Sequence, residues 1–492
     1  MTTVATDYET VIGLEVHVQL DTNSKMFCSC SSDYSGAEPN THVCPVCMGM
    51  PGMLPVINEQ AIRYIVTAGL ALNCEIAEFS KFDRKNYLYP DLVKGYQISQ
   101  FDLPLCVGGW MDIEVEGEER RIQLTRIHME EDTARLLHRT DGRTGEGYSL
   151  VDLNRSGTPL MEIVSEPDIR SPEEARAYLV AIRRLLRYTG VSKANMEEGQ
   201  MRCDANISLR PRGTEKLGTR SEVKNMNSFR AVFDALKFEE IRQAEVLNSG
   251  GRVVQETRGW VEERQVTVSQ RSKEEAEDYR YFPDPDLPPL TLSREYVEEL
   301  RASLPELPAR RYDRYRELGL SEFEATTLAD ARDRSDYTDA LAETIGGDAK
   351  RAAKLATNWV LGEVGRWCNE HARDVADFPI EPEALAKLVQ TAEEGNITGT
   401  VAKQVFEAII ETGKSADEVI DEQGLAQIDG ADELTGIVRE VIAQNEKAVA
   451  DYRAGKDTAI KFLIGQVMRA TKGRANPQTV GELIAAELDE ND

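Results

Sequence analysis

Close to residue 293 this chain changes its period, and that change limits the folds open to it. Up to about residue 295, apolar and polar residues alternate over short runs separated by Gly turns, the pattern of strands with a few helices among them. From Ser293 onward, REYVEELRASLPELPARRYDRYRELG and nearly all that follows keeps helical spacing, with many Ala, Glu and Leu and short polar breaks. Strands in one half and helices in the other make the expected class α+β, a mostly antiparallel β domain followed by all-α structure. The stretch EDYRYFPDPDLPPL, 277–290, is crowded with Pro and Asp and reads as a domain boundary or a wrapping arm. GWMDIEVEGEERRIQLTRIHME reads as a hairpin turning near Gly117.

With 492 residues, of which 41% are hydrophobic, the chain can build real cores, and the length suggests about three domains. Its longest apolar runs are broken by charges well short of the roughly 20 residues a membrane span needs. The opening MTTVATDYET has neither a basic nor an apolar leader region, so no secretory signal is expected and a cytoplasmic location is. Asp and Glu number 86 against 58 Lys and Arg, a net charge of −28. The acids are spread over every segment. Such diffuse acidity reads as a halophile's, because salt screens self-repulsion while hydration is kept; an ordinary acidic bacterial protein is the plainer alternative. Taken alone, the charge also argues against a nucleic-acid partner.

Four of the eight cysteines stand in two close pairs, Cys28 and Cys30 in FCSC, Cys44 and Cys47 in CPVC. That spacing suits a tetrahedral structural Zn²⁺, and four thiolates leave no open position for a substrate. Two disulfides or four unrelated thiols are the competing readings; a reducing cytoplasm disfavours the first and the tight pairing the second. His42 is a possible replacement for one ligand.

The strand-like IGLEVHVQL, 12–20, puts Leu14, Val16, Val18 and Leu20 on one face and Glu15, His17 and Gln19 on the other. QMRCDANISLR sets Arg202, Asp204, Asn206 and Ser208 opposite an apolar face, and in TRSEVKNMNSF Glu222 and Lys224 share a face. There Asn227 or Ser228 is placed to cap a helix. In RIHMEEDTARLL, Glu130, Glu131 and Asp132 lie at the end of a strand. Each face alone reads as the wet side of an antiparallel sheet. Together they do not, because Asp and Asn are depleted in strands. Carboxylates with an imidazole suit Mg²⁺, and neighbouring Arg and Lys suit phosphate oxygens, so the pattern points to phosphoryl chemistry on a sheet surface.

No phosphate loop of the usual kind serves that chemistry. TGKS at 412–415 lacks the first Gly of such a loop and reads as a connection between helices. NSGG at 248–251 reads as a turn after a helix, and His128, His138 and His371 as structural or surface residues. SKFDRKNYLYPDLVKGYQISQFDLPL has the look of a binding loop with aromatic platforms. VDLNRSGTPLMEIVSEPDI holds a tight turn presenting Arg155 and then Glu162. Near the end, Lys461, Arg469, Lys472 and Arg474 gather in an otherwise acidic chain, either as a local grip on RNA or as cations in the last turn of a helix capped by Gly473.

The stretches VIGLEVHVQL, CPVCMGMPGMLPVIN, RKNYLYPDLVKGYQISQ, HMEEDTA, NRSGTPLMEIVSEPD, RCDANIS, SEVKNMNSF, DYRYFPDPDLPPL and RATKGRANP together resemble the B subunits of glutamyl/aspartyl-tRNA amidotransferases, over essentially the whole chain. The resemblance implies a cradle domain over 1–295, related in fold to glutamine synthetase, then a helical domain over 296–412 and a helical tail over 413–492. It implies ATP-dependent phosphorylation of the side-chain carboxylate of Asp or Glu misacylated onto tRNA, followed by displacement with ammonia. Glu15, His17 and Glu131, with Glu130 adjacent, match residues associated with Mg²⁺. Lys85, Tyr87, Arg155, Glu162, Arg202, Asp204, Glu222, Lys224 and Asn225 lie in matching pocket motifs, and the tail with Lys461, Arg469, Lys472 and Arg474 matches a tRNA-contacting region. The implied partners are an amidase-type A subunit that supplies ammonia, a small C subunit and the misacylated tRNA. Local Arg contacts, hydrogen bonds and shape would reconcile the acidic surface with that RNA. A small-molecule ATP-dependent amide ligase leaves the helical tail idle, and a non-catalytic zinc-bearing RNA-binding protein leaves Glu15 and Glu131 dispensable.

Overall fold

The computed structural model describes residues 7–272, 278–428, 431–453, 456 and 458–489. They form two compact units that divide between Leu307 and Pro308.

The first unit is built on a ten-stranded sheet. From one edge its strands run Val266–Ser272, Glu256–Val261, Ser221–Met226, Met201–Pro211, Tyr8–Gln19, Pro159–Ser165, Glu118–Glu131, Cys106–Val107 and Glu75–Ile76, with Trp110–Val115 also paired to Glu118–Glu131. One neighbouring pair, Ser221–Met226 with Glu256–Val261, is parallel, and the others are antiparallel. The mostly antiparallel α+β expectation holds.

Alternation explains why this sheet has a dry side. In Tyr8–Gln19 the apolar set Ile12, Leu14, Val16 and Val18 is fully buried, in one core with Met161 and Ile163, Ile127 and Met129, Cys203 and Ala205. The helices Glu59–Ala71, Pro172–Tyr188 and Phe229–Asn248 contribute Ile65, Leu179, Ile182 and Val232 to that core. Burial stabilises by about 1.5–3 kcal/mol for each such side chain. Each helix starts where a side chain satisfies an orphan amide: Asn58 accepts from Ala61, Ser171 from Glu174 and Ser228 from Ala231. Of the two caps open before the Phe229–Asn248 helix, Ser228 is the one used.

The 110–131 hairpin turns where expected, through Glu116 at φ 54° and Gly117 at φ 81°. Positive φ at both central residues matches the right-handed twist of the flanking strands. The 277–290 stretch is an arm rather than a boundary: Phe282–Pro283 adds a strand to Asp83–Asn86, which pairs in turn with Tyr96–Ser99. Arg84 pins that arm through Asp284 and Asp286, at 2.8 Å each; Glu277 lies outside the described residues. Helical structure begins at Arg294, capped by Ser293, yet the helix Arg294–Ala302 packs into the sheet unit through Leu300.

The second unit is helical and holds two hydrophobic cores, one running from Tyr315 to Leu425 and one from Ile428 to Leu488. TGKS is a connection between helices: Gly413 at φ 68° ends Gly399–Thr412, and Ser415 caps Ala416–Gln423. Among the described residues no helix is long and apolar enough to cross a membrane.

Candidate active site and thiolate cluster

The polar side of the sheet is organised by register. Glu162 stands opposite His128 on one neighbouring strand and His17 on the other, and His17 stands opposite Arg202. Directly opposed residues share a face, so His128, Glu162, His17 and Arg202 form a row across four strands. Within it His17 Nε2 lies 3.2 Å from Glu162 Oε2, and His128 Nε2 lies 3.6 Å from the same oxygen. Glu130, two residues beyond His128, brings Oε1 to 3.4 Å from His128 Nε2. It also accepts hydrogen bonds from Ser99 Oγ at 2.9 Å and Gln97 Nε2 at 3.1 Å. His17, Glu130 and Glu162 each offer a ligand atom, and all three atoms lie within 4.8 Å of one another, a group that can hold a metal ion.

Electrostatics separates the roles here. Burial opposes the charge of Glu130, but the nearby Lys85 ammonium and His128 outweigh it and hold the carboxyl well below its usual range. Glu162 is likewise lowered against its burial, chiefly by its hydrogen bond with His17. For His17 burial favours the neutral ring, and the bond to Glu162 more than offsets that, raising the pKa. Lys85 Nζ stands 3.9 Å from Glu130 Oε1 and 5.1 Å from the centre of the Tyr279 ring on the arm. Tyr87 packs edge-on against the same ring, with centroids 6.0 Å apart.

A second cluster adjoins the row. Glu15 accepts from Asn206 Nδ2 at 3.0 Å, and Lys224 Nζ reaches Asp204 at 2.7 Å and Glu222 at 3.4 Å. Burial first, then the carboxylates of Glu162, Asp204 and Glu222, push the Glu15 carboxyl above its usual range. Several carboxylates answered by one ammonium make a donor set short of positive charge, which suits a divalent cation. A bulge shapes this corner: Lys224 and Asn225 together oppose Asp204, between the pairs Cys203 with Met226 and Ala205 with Val223. Asn225, exposed and at φ 64°, absorbs the extra residue, so Val223 and Met226 both still face the core.

Asp132 closes the other end. It is buried and accepts from Gln19 at 2.7 Å and Arg202 at 3.0 Å, with Arg155 Nε 3.7 Å away. Arg155 gives its own hydrogen bonds to the carbonyls of Thr133 and Ala134, at 3.0 and 2.9 Å. Glu131 turns away from the row: Lys94 and the Ile98 amide take up its carboxylate.

The four sulfurs of Cys28, Cys30, Cys44 and Cys47 also lie within 4.8 Å of one another and can hold a metal ion. Cys44 Sγ and Cys47 Sγ are 3.9 Å apart, far beyond the ~2.05 Å of a disulfide. Bonds of about 2.3 Å to a tetrahedral zinc put sulfurs about 3.8 Å apart. The Cys44 amide donates to Cys47 Sγ at 3.2 Å. Contact with Cys28, against burial and aided by the Cys44 amide and Lys25, holds the Cys47 thiol well below the usual range. The cluster's loop is sewn to residues 151–154: His42 N donates to Asn154 Oδ1 at 2.8 Å, Asn154 Nδ2 to the Glu38 carbonyl at 2.8 Å, and Leu153 N to Asn40 Oδ1 at 2.8 Å. His42 serves this seam and is not among the clustered ligands.

Comparison with known proteins now decides the family. The GatB/GatE catalytic domain matches residues 10–298, and a GatB domain matches 339–488. The B subunit of the aspartyl/glutamyl-tRNA(Asn/Gln) amidotransferase of Dehalococcoides mccartyi (strain CBDB1) is 55% identical over 493 residues, 99% of this chain and 100% of that protein. Those of Carboxydothermus hydrogenoformans and Thermomicrobium roseum are each 52% identical over 483 residues, 98% of this chain and 99% of theirs. This chain belongs to the amidotransferase B-subunit family.

As a member of that family the chain is a component of a ligase-type aminoacyl-tRNA amidotransferase. In this family member the structure gathers His17, Glu130 and Glu162, sets Glu15, Asp204, Glu222 and Lys224 beside them, and leaves Glu131 outside. His128, read from sequence as structural or surface, is 3% exposed and stands in the row itself. The sequence held a signal for this. With Ile127 and Met129 on the apolar face, His128 and Glu130 fall on the polar one, and Glu131 shares the parity of the core residues. Gln97 and Ser99 carried no such signal, since they meet the row only through the fold. Lys461, Arg469 and Lys472 are exposed on and just after the helix Thr458–Ala470, while Arg474 donates to the Gly424 carbonyl at 3.1 Å.

Proposed function

We propose that the chain activates the side-chain carboxylate of Asp or Glu misacylated onto tRNA(Asn) or tRNA(Gln). A carboxylate oxygen takes the γ-phosphoryl group of ATP, releasing ADP; ammonia then adds to the acyl carbon and inorganic phosphate leaves, giving the amide. A free carboxylate is a poor acceptor for ammonia, which is why activation comes first. The row of His128, Glu162, His17 and Arg202, with Glu130 beside it, carries this reading, because it sets a cation-binding group among Lys85, Arg202 and Lys224.

His17, Glu130 and Glu162, with Glu15 alongside, are the residues that would hold Mg²⁺. Bound there, the ion supplies charge neutralisation at the phosphate oxygens. Lys85 and Lys224, whose pKa values the surrounding carboxylates raise against burial, stay cationic and orient anionic phosphoryl oxygens. Arg202, held by Asp132, presents a fixed guanidinium to the same face. Tyr87 and the arm residue Tyr279 set an aromatic wall beside the Lys85 ammonium.

The thiolate cluster fits Zn²⁺ in a structural role, supported by its sulfur spacing. Ammonia comes from an amidase-type A subunit, a small C subunit joins the pair, and the complex works in the cytoplasm. The tail meets the tRNA through Lys461, Arg469 and Lys472, with Arg474 bracing the turn that presents them. Spread over such a surface, the −28 charge fits a halophile.

The test is amide formation on misacylated Asp-tRNA and Glu-tRNA in high KCl, with ATP, Mg²⁺ and free ammonium, using the complex with its A and C subunits. Wild type is expected to form the amide. Glu15→Ala, still assembled and still binding tRNA, is expected to lose it. Full rate in that variant would remove Glu15 from the chemistry.

A further inference from the structure

One element near the row has no task in this scheme. Strands Arg135–Thr140 and Gly147–Asp152 pair only with each other and stand apart from the ten-stranded sheet. A lone two-stranded hairpin is marginal in water unless something lies against it. Its register sets Arg139 opposite Tyr148 and Leu137 opposite Leu150, and these pairs share a face with Arg135. On that face Tyr148 is 49% exposed and Leu150 50%.

Of the three acids in the hairpin, Glu146 is exposed in the turn, 3.5 Å from the Thr144 hydroxyl, and the other two are held by backbone amides. Asp141 is spent inside the turn, accepting the amides of Arg143 at 2.7 Å and Thr144 at 2.9 Å. Asp152 is spent at the root, accepting from the amides of Asn40 and Asn154, both at 3.1 Å. Among the described residues Arg135, Arg139 and Arg143 are exposed and in no ion pair with a carboxylate. A ribbon with guanidiniums outside any ion pair beside an exposed aromatic ring, in a chain of net charge −28, is a local inversion of the surface; the Arg139 guanidinium donates to the His138 carbonyl, at 3.1 Å.

Its root is fixed to the row. The chain enters the hairpin just after Asp132 and leaves it just before Arg155, and Arg155 bonds the carbonyls of Thr133 and Ala134 on the entering leg. The thiolate loop holds the returning leg through Asn40, which donates from Nδ2 to the Val151 carbonyl at 3.1 Å. Six-residue strands reach about 20 Å from that root.

We infer that this hairpin grips the unpaired 3′ end of the aminoacylated RNA, with a base stacked on Tyr148 and phosphates met by Arg135, Arg139 and Arg143. The inference rests on the transamidation reading, in which the esterified amino acid at that end must reach the row. Exposed aromatics with interleaved Arg are how single strands are held without reading their sequence. Stacking on Tyr148 places a nucleotide short of the terminus, about four residues out from the root, and the unpaired end runs on from there toward the carboxylates.

The test uses the assembled complex and labelled acceptor-stem RNA hairpins with and without the unpaired 3′ overhang. Wild type is expected to bind the overhang form about tenfold more tightly, the worth of one base stacked on an aromatic ring. Tyr148→Ala should remove most of that preference and Tyr148→Phe should keep it, with melting curves unchanged. Paired Arg139→Ala and Arg143→Ala should flatten the salt dependence of binding. The proposal is overturned if Tyr148→Ala keeps the full preference, or if it weakens subunit assembly and leaves RNA binding intact, which assigns the face to a protein interface. Amide formation separates the two readings. If the wild-type complex makes no amide from misacylated tRNA, the transamidation reading fails; if it does and Tyr148→Ala leaves KM for that tRNA unchanged, the hairpin proposal alone fails.

Discussion

Lys25 and Cys47 meet inside the protein. The Lys25 side chain has no exposed surface, and its Nζ lies 3.6 Å from Cys47 Sγ, 2.7 Å from the His42 carbonyl oxygen and 3.2 Å from that of Leu153. One ammonium thus joins the thiolate loop to the segment that leads into Arg155. Burying a cation costs several kcal/mol unless such partners surround it.

Lys25→Met is therefore expected to destabilise the chain by about 3–5 kcal/mol, since it removes the donor to two half-buried carbonyls and leaves a thiolate without its counter-charge. Thermal melting and metal retention against a chelator both report on it. A variant that melts with wild type and retains added Zn²⁺ equally well would show that the ammonium contributes nothing.

Metal removal should loosen a stretch distant in sequence. Leu153 N donates to Asn40 Oδ1 and His42 N to Asn154 Oδ1, so unfastening the cysteines frees residues 151–155. Hydrogen exchange after chelation is expected to speed up at Leu153 and Asn154 while the Val16 and Val18 amides stay protected. Unchanged exchange at Leu153 would mean that the cluster does not clamp that segment.

Glu162→Gln keeps the shape of the row and removes a charge that faces His17 and His128. Its expected effect is a fall in kcat of at least about a hundredfold, with tRNA binding held. Lys224→Met should fall similarly and raise KM for ATP. A Glu162→Gln complex within a few-fold of wild type would take the row out of the reaction.

Away from the site, Glu239 is fully buried and bound by Arg242 at 2.7 Å, Arg258 at 2.9 Å and the Thr267 hydroxyl. Burial alone would raise its pKa, but hydrogen bonds from Arg242, the Thr267 hydroxyl and Gln243, with the Arg242 charge, lower it. A carboxyl lowered in the folded state adds stability that is complete above its unfolded pKa of about 4.3 and is lost as pH falls through the folded value. Glu239→Gln should cost about 3–5 kcal/mol near pH 7 and narrow its gap to wild type below about pH 4, as read from denaturant midpoints. A gap independent of pH would rule out the charge as the cause.

Much of the scaffold was legible because it rests on local rules. Alternation in IGLEVHVQL separates Val16 and Val18 from Glu15 and His17, Ser228 caps its helix, Glu116 and Gly117 make their turn, and the CPVC pair folds back through its own amide. Texture marked where helices begin, at Arg294, but the compact unit closes only after Leu307. A helix joins whichever core its apolar stripe meets, and Leu300 meets the sheet.

The polar face of the first strand, the four close thiols and the split between sheet and helices were determined by sequence alone, since each depends on neighbours a few residues apart. Which groups would share a cation was decided by tertiary structure. Strand order and register bring Glu162 to His17, turn Glu131 toward Lys94 and admit His128 to the row. A one-residue slip in register would send every one of these side chains to the other face, and what prevents that slip is burial of the apolar face against helices far away along the chain.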